Sequence, residues 1–213
     1  KSEASDGSGD PGAGILVASG GADNDQLFGS TGDDTLNGDS GKDDITGNGG
    51  NNTINAGAGN DLINLSTADV GSVASGADND RVLFTASDGD DDVELTDLGG
   101  GVVEVDINGA LTNVSHNETF ILFLQQGADD ITINDLTSSG TNRVQVEVGK
   151  IFTPNGTTTQ PVTREDGTVV KNDDGTVVTE VVPAYNVADD GRTDTITVIG
   201  SASDDEFILS AES

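Results

Sequence analysis

The sequence has no cysteine, no methionine, no tryptophan, one tyrosine and one histidine among 213 residues. Without cysteine there is neither a disulfide nor a thiolate metal site, although a fold stapled by a cation after export needs neither. The missing methionine reads as a processed or excised part of a longer chain. Six phenylalanines and a 32% hydrophobic content leave too little for a core built on large aromatic anchors. A solenoid that stacks short aliphatic side chains needs few such residues. Basic residues are scarce as well: eight against 39 acidic ones give a net charge of −31, which excludes electrostatic attraction to nucleic acid or anionic lipid and favours cations as partners. No apolar run has transmembrane length and no amino-terminal signal peptide is visible, so no membrane insertion is expected. His116 stands alone in a polar stretch, so neither an HExxH zinc site nor a Ser-His-Asp arrangement has support. The chain is expected not to be an enzyme.

Glycine is abundant, with 30 residues, and it recurs on a clock. Between Gly20 and Asn64 the chain reads GGADNDQLF, GSTGDDTLN, GDSGKDDIT, GNGGNNTIN and AGAGNDLIN. Leu27, Leu36, Ile45, Ile54 and Ile63 hold the eighth place. Asp25, Asp34, Asp43, Asn52 and Asp61 come two places earlier, and Gly32, Gly41, Gly50 and Gly59 hold the fourth. This pattern resembles the glycine- and aspartate-rich nonapeptide repeats of the RTX family, the hemolysin-type calcium-binding repeats. The resemblance implies a right-handed parallel β-roll, folding that depends on Ca2+, and export from a bacterial cell by type I secretion. It departs from the family pattern at Asp23 (for the fourth-place glycine), Ala56 (for the first) and Leu62 (for a polar residue).

Nine residues divide into about six for a bend and three for a strand, with the eighth side chain inward. Two such half-turns make a coil, so alternate registers share an edge: Asp25, Asp43 and Asp61 on one, Asp34 and Asn52 on the other. Adjacent coils lie about 4.8 Å apart, close enough for stacked carboxylates to repel. Calcium takes six to eight oxygens from carboxylates, carbonyls and water, and one ion between same-side bends turns repulsion into a clamp. Three pairs are expected to hold Ca2+: Asp25 with Asp43, Asp43 with Asp61, and Asp34 with Asn52, the last weakest because an amide carries no charge. Asp80 joins the candidate metal ligands because GADNDRV at 76–82 copies GADNDQL at 21–27. Three divalent ions add six charges to −31 and leave −25, so most carboxylates face water.

Elsewhere the signal is strand and turn. Residues 1–14 read as a flexible leader; the GxGxxG formed by Gly7, Gly9 and Gly12 lacks the flanking strand and helix a dinucleotide site needs. Residues 15–83 read as a calcium-binding β-roll, in which one coil carries an extra residue and Val70 or Val73 fills an inward place. Residues 84–213 read as an irregular β-solenoid. Strands are expected at 102–107, 119–124 and 143–148, a tight hairpin at Asn108-Gly109, and a β-hairpin insertion at 151–186 that holds three of the four prolines. The fold class is therefore all-β, a parallel β-roll continuing into an irregular solenoid.

These readings point to a non-enzymatic, extracellular or cell-surface structural module that stiffens on binding Ca2+, part of a surface layer, adhesin or self-assembling filament. Ile15, Leu16, Val17 and Ala18 form an apolar run suited to end-to-end self-association by strand addition. The alternative is an accessory module of a secreted protease, lipase or polysaccharide-modifying enzyme whose catalytic domain lies outside these residues.

Overall fold

The computed structural model describes the backbone of residues 3–4, 14–148, 152–161, 179–187, 195–198 and 206–211, and the side chains of 14–147. In chain order the strands are β1 (Glu3–Ala4), β2 (Val17–Ala22), β3 (Gln26–Phe28), β4 (Thr35–Ser40), β5 (Asp44–Thr46), β6 (Gly50–Ala58), β7 (Leu62–Ser66), β8 (Asp69–Ala77), β9 (Arg81–Thr85), β10 (Asp92–Gly99), β11 (Val102–Ile107), β12 (Ala110–Ser115), β13 (Thr119–Leu124), β14 (Asp130–Ile133), β15 (Arg143–Val148), β16 (Phe152–Pro161), β17 (Thr179–Val187), β18 (Thr195–Val198) and β19 (Glu206–Ala211). Among the described residues there is no helix.

Successive strands alternate between two sheets, as a solenoid requires. The first sheet runs β1-β3-β5-β7-β9-β13-β15-β19 with every neighbour parallel, and the second runs β18-β14-β10-β11-β12-β8-β6-β4-β2. Their facing aliphatics form ladders. Leu27, Ile45, Ile63, Val82 and Phe120 pair in register along the first sheet, and Ala18, Leu36, Ile54, Val73 and Val114 along the second. All are buried. Val73, rather than Val70, fills the inward place of the coil with the extra residue, opposite Ile54.

The division of each register into about six residues of bend and three of strand holds at β3 and β5 of the first sheet, with three residues each, while β7 and β9 of the same sheet have five. In the second sheet, β4 and β6 reach six and nine, because ladder bonds continue into the bends. Fourth-place glycines make that continuation possible. Gly41 has φ +140° and Gly59 φ +129°, and a methyl group on either would strike the carbonyl of the preceding coil, at Asp23 and Gly41 respectively. Asp23 itself takes φ +95°.

Beyond β9 the second sheet is interrupted by an antiparallel meander. Strand β10 pairs with β11, β11 with β12, and β12 returns to lie parallel to β8. Asn108 and Gly109 turn this hairpin with φ of 56° and 85°, the type I′ geometry that matches strand twist. Strands β11, β13 and β15 coincide with the runs expected from sequence. Opposite the meander the first sheet buries larger side chains, Phe84 and Phe120. Strands β16 and β17 form a separate antiparallel pair on the connection from β15 to β18, within the hairpin expected at 151–186; residues 162–178 between them lie outside the described residues. Most of the expected leader does too, but Glu3–Ala4 pairs with β3 and covers the first edge of that sheet.

Candidate metal centre

Connections from the second sheet to the first (β2 to β3, β4 to β5, β6 to β7, β8 to β9) stack along one border of the solenoid, here edge one. The reverse connections stack along edge two. Asp25, Asp43, Asp61 and Asp80 are the last residues of the edge-one bends, immediately before β3, β5, β7 and β9, and none is more than 2% exposed. A continuous chain of hydrogen bonds joins them. The backbone N–H of Asp25 donates to Oδ1 of Asp43 at 2.8 Å, that of Asp43 to Asp61 at 2.8 Å, that of Asp61 to Asp80 at 2.9 Å, and that of Asp80 to Oε2 of Glu118 at 2.9 Å. Asp43, Asp61 and Asp80 thus each use one oxygen to hold the coil before.

The second oxygen is different. Oδ2 of Asp43, Asp61 and Asp80 is buried and accepts no hydrogen bond, a costly state for an ionised group. The carboxyls respond accordingly. Burial raises the pKa of Asp43 and Asp61 above the ordinary 3.8 and that of Asp80 to about 7; the N–H bond from the coil before opposes this, and neighbouring carboxylates add to it, chiefly Asp25, Asp43 and Asp61 in turn, with Glu118 also acting on Asp80.

Glycine leaves room beside these oxygens. A methyl group on Gly38 would meet Oδ2 of Asp43 at 2.5 Å and the carbonyl oxygen of Ala56, and one on Gly20 would meet Oδ2 of Asp25 at 2.8 Å and the carbonyl of Gly38 at 3.0 Å. A carboxylate oxygen and a carbonyl oxygen from the next coil therefore converge on a space that holds no side chain. Among the described residues no group of three or more acidic or imidazole side chains gathers at one point. The donor set is carboxylates in adjacent coils plus backbone carbonyls, which suits a hard cation with many oxygen ligands and flexible geometry, and suits zinc or copper poorly. The residues fit Ca2+. A bound ion would supply the positive charge that lets these carboxylates ionise together.

Edge two is built otherwise. The N–H of Leu16 donates to Oδ1 of Asp34 at 2.7 Å and the N–H of Ser30 to its Oδ2 at 2.5 Å, with the Ser30 hydroxyl 2.9 and 3.1 Å from the two oxygens. Asn52 accepts the N–H of Asp34 at 2.9 Å through Oδ1 and turns its NH2 to the carbonyl of Gly49 and to Oδ1 of Asp69. Asp69 also accepts from Gly49 N–H, Ser66 N–H and the Ser66 hydroxyl. The three pairs expected from sequence are thus all neighbours, in two unlike settings.

Two acidic residues escaped the sequence pattern. Asp69 lies four places before Val73, not two; Glu118 does lie two places before the inward Phe120, but outside the nine-residue clock, since Phe120 follows Val114 by six. Spacing does not mark Asp69, which only the stacking of coils reveals, whereas the two-place interval before Phe120 is a signal that could have found Glu118.

The family model for the RTX calcium-binding nonapeptide repeat, in 4 copies, matches residues 19–54 and 37–67. These residues carry RTX repeats, and RTX nonapeptide repeats bind Ca2+. No curated protein and no solved structure matches the chain. Asp69, Asp80 and Glu118 lie past the matched residues.

Proposed function

We propose that this chain is a non-enzymatic structural module, exported from a bacterial cell and held as a rigid β-solenoid by calcium along edge one. One observation carries the reading: Asp43, Asp61 and Asp80 are buried in a single file, each with a carboxylate oxygen that accepts no hydrogen bond. Ionised and without a cation, that file opposes folding; with calcium between its members it clamps adjacent coils. Asp25, Asp43, Asp61 and Asp80 are the ligands of this reading, with the carbonyls of Gly38 and Ala56 beside them. Extracellular calcium modules bind at about 10⁻⁴–10⁻³ M, far above cytosolic levels, so the chain would remain unfolded before export and fold after it. RTX repeats are characteristic of secreted bacterial proteins, which agrees with that order of events. Circular dichroism in EDTA and in millimolar calcium tests the reading; strand signal equal in both overturns it.

Assembly into longer filaments extends the proposal. Among the described residues strand β2 is the last in the second sheet; Ile15 just before it and Val17 at its start are 80% and 72% exposed. A strand with open hydrogen-bonding groups next to exposed aliphatics is a template for pairing with another copy.

A further inference from the structure

We propose that calcium loads edge one alone, and that edge two is closed by side-chain hydrogen bonds that take the place of metal. The inference rests on the calcium reading above and deepens it by assigning the ions to one border of the solenoid.

At Asp34, Asp69 and Asp91 edge two offers no carboxylate oxygen without a hydrogen-bond donor beside it. Asp34 is held by two backbone N–H groups and lies beside the Ser30 hydroxyl. Asp69 takes four hydrogen bonds, including both donors of Ser66. Asp91, at the bend before β10, accepts from Ser87 N–H at 3.0 Å and from Asn108 Nδ2 at 2.5 Å, with the Ser87 hydroxyl 3.0 Å away. The same device recurs: a serine three or four residues before the aspartate folds back on it, and its hydroxyl also accepts the N–H two residues on, from Gly32, Ala68 or Gly89. Asn52 goes further. Its NH2 reaches the Gly49 carbonyl at 3.0 Å and the Asp69 carboxylate at 2.9 Å, joining the two oxygen types that a calcium ion would join. An amide presenting donors to both does the bridging without the charge.

Coil length points the same way by a separate route. Along edge one, from β2 to β9, the inward aliphatics of successive strands are nine residues apart, Ala18 to Leu27, Leu36 to Ile45, Ile54 to Ile63 and Val73 to Val82; only past the meander does the interval change, to six from Val114 to Phe120. Along edge two the spacing drifts: nine from Leu27 to Leu36 and from Ile45 to Ile54, then ten from Ile63 to Val73 and eleven from Val82 to Val93. An ion demanding oxygens from two bends fixes their length, whereas a bend closed by its own serine does not.

The test counts calcium bound to the full chain by native mass spectrometry, in the parent sequence and in Asp43→Asn and Asp34→Asn, with strand content checked at saturating calcium. Asp43→Asn is expected to lower the count by at least one and Asp34→Asn to leave it unchanged. Loss of an ion in Asp34→Asn overturns the inference, while a parent chain that binds none overturns the calcium reading itself. Should Asp34→Asn not fold, anomalous scattering from calcium-loaded crystals of the parent decides: peaks beside Asp43 and Asp61 and none beside Asp34 or Asp69 are expected, and a peak beside Asp34 overturns the one-edge assignment.

Discussion

Asp61 donates its backbone N–H to Oδ1 of Asp80 at 2.9 Å although nineteen residues separate them, where eighteen separate Asp43 from Asp61 at 2.8 Å. The extra residue is absorbed on the opposite border. Three residues lie between the paired positions Thr46 and Gly50, and four between their partners Asn64 and Asp69. The aspartate file therefore passes through an irregular coil without a break, and it continues beyond residue 67, where the matched repeats end.

Asp61 stands between Asp43 and Asp80, so its carboxylate borders two intervals of the file. Asp61→Asn is expected to weaken calcium-triggered folding by roughly tenfold or more, in line with the 1.5–3 kcal/mol typical of an interaction with a charged group. A calcium titration followed by circular dichroism checks this; an unchanged midpoint would remove Asp61 from the ligand set.

Acid should partly replace calcium. The folded-state pKa values of Asp43, Asp61 and Asp80 are raised, so their contribution to metal-free stability is full below about 3.8 and is lost as pH rises, through about 7 for Asp80. In EDTA the strand signal should be larger at pH 5 than at pH 8. In calcium the order should reverse, because protons compete for the same oxygens. Asp80→Asn should flatten the EDTA profile between those values, and a profile it leaves untouched would count against this account.

Core ladders carry the remaining stability. Ile45 is wholly buried and pairs with Leu27 on one side and Ile63 on the other. Ile45→Ala should cost about 2–5 kcal/mol by loss of burial and an unfilled cavity, read as a lower melting temperature at saturating calcium with the ion count unchanged.

Two glycine substitutions separate strain from collision. Gly21 has φ +100° with open space around it, so Gly21→Ala should cost only the backbone strain, about 1 kcal/mol. Gly41→Ala adds a clash with the Asp23 carbonyl and should prevent coil stacking. Chemical denaturation in calcium compares them; equal losses would mean the close approach has no consequence.

Removal of residues 1–18 tests assembly. Without Ile15 and Val17 the chain should lose any calcium-dependent increase in particle size by light scattering. An increase that persists would place association elsewhere.

Much of this was legible in sequence because a nine-residue clock fixes which side chains face inward and which bends share a border. The strands of the irregular part were legible too, since Val144 and Val146 alternate with polar residues and Asn108-Gly109 permits few turns. The chemical difference between the borders was not. Ser30 reads as a small polar residue in a glycine's place, and only its position beside the Asp34 carboxylate reveals a hydrogen-bond donor. Asn52 looked like a weak ligand by composition, yet its oxygen is committed to the Asp34 N–H and its nitrogen to Asp69. Asp69 was hidden because it breaks the two-place interval that identified the others, and Glu118 because it keeps that interval, before Phe120, outside the nine-residue clock.

The meander has a mechanical consequence. From β8 to β14 the second sheet advances by four strand spacings, through β12, β11 and β10, whereas from β9 to β15 the first sheet advances by two, through β13. At about 4.8 Å per spacing, one wall of the solenoid gains roughly 10 Å on the other within a few coils. A tube whose walls grow unequally turns toward the shorter wall. The hairpin centred on Asn108 thus acts as a wedge, giving the axis a different heading after the aspartate file has ended.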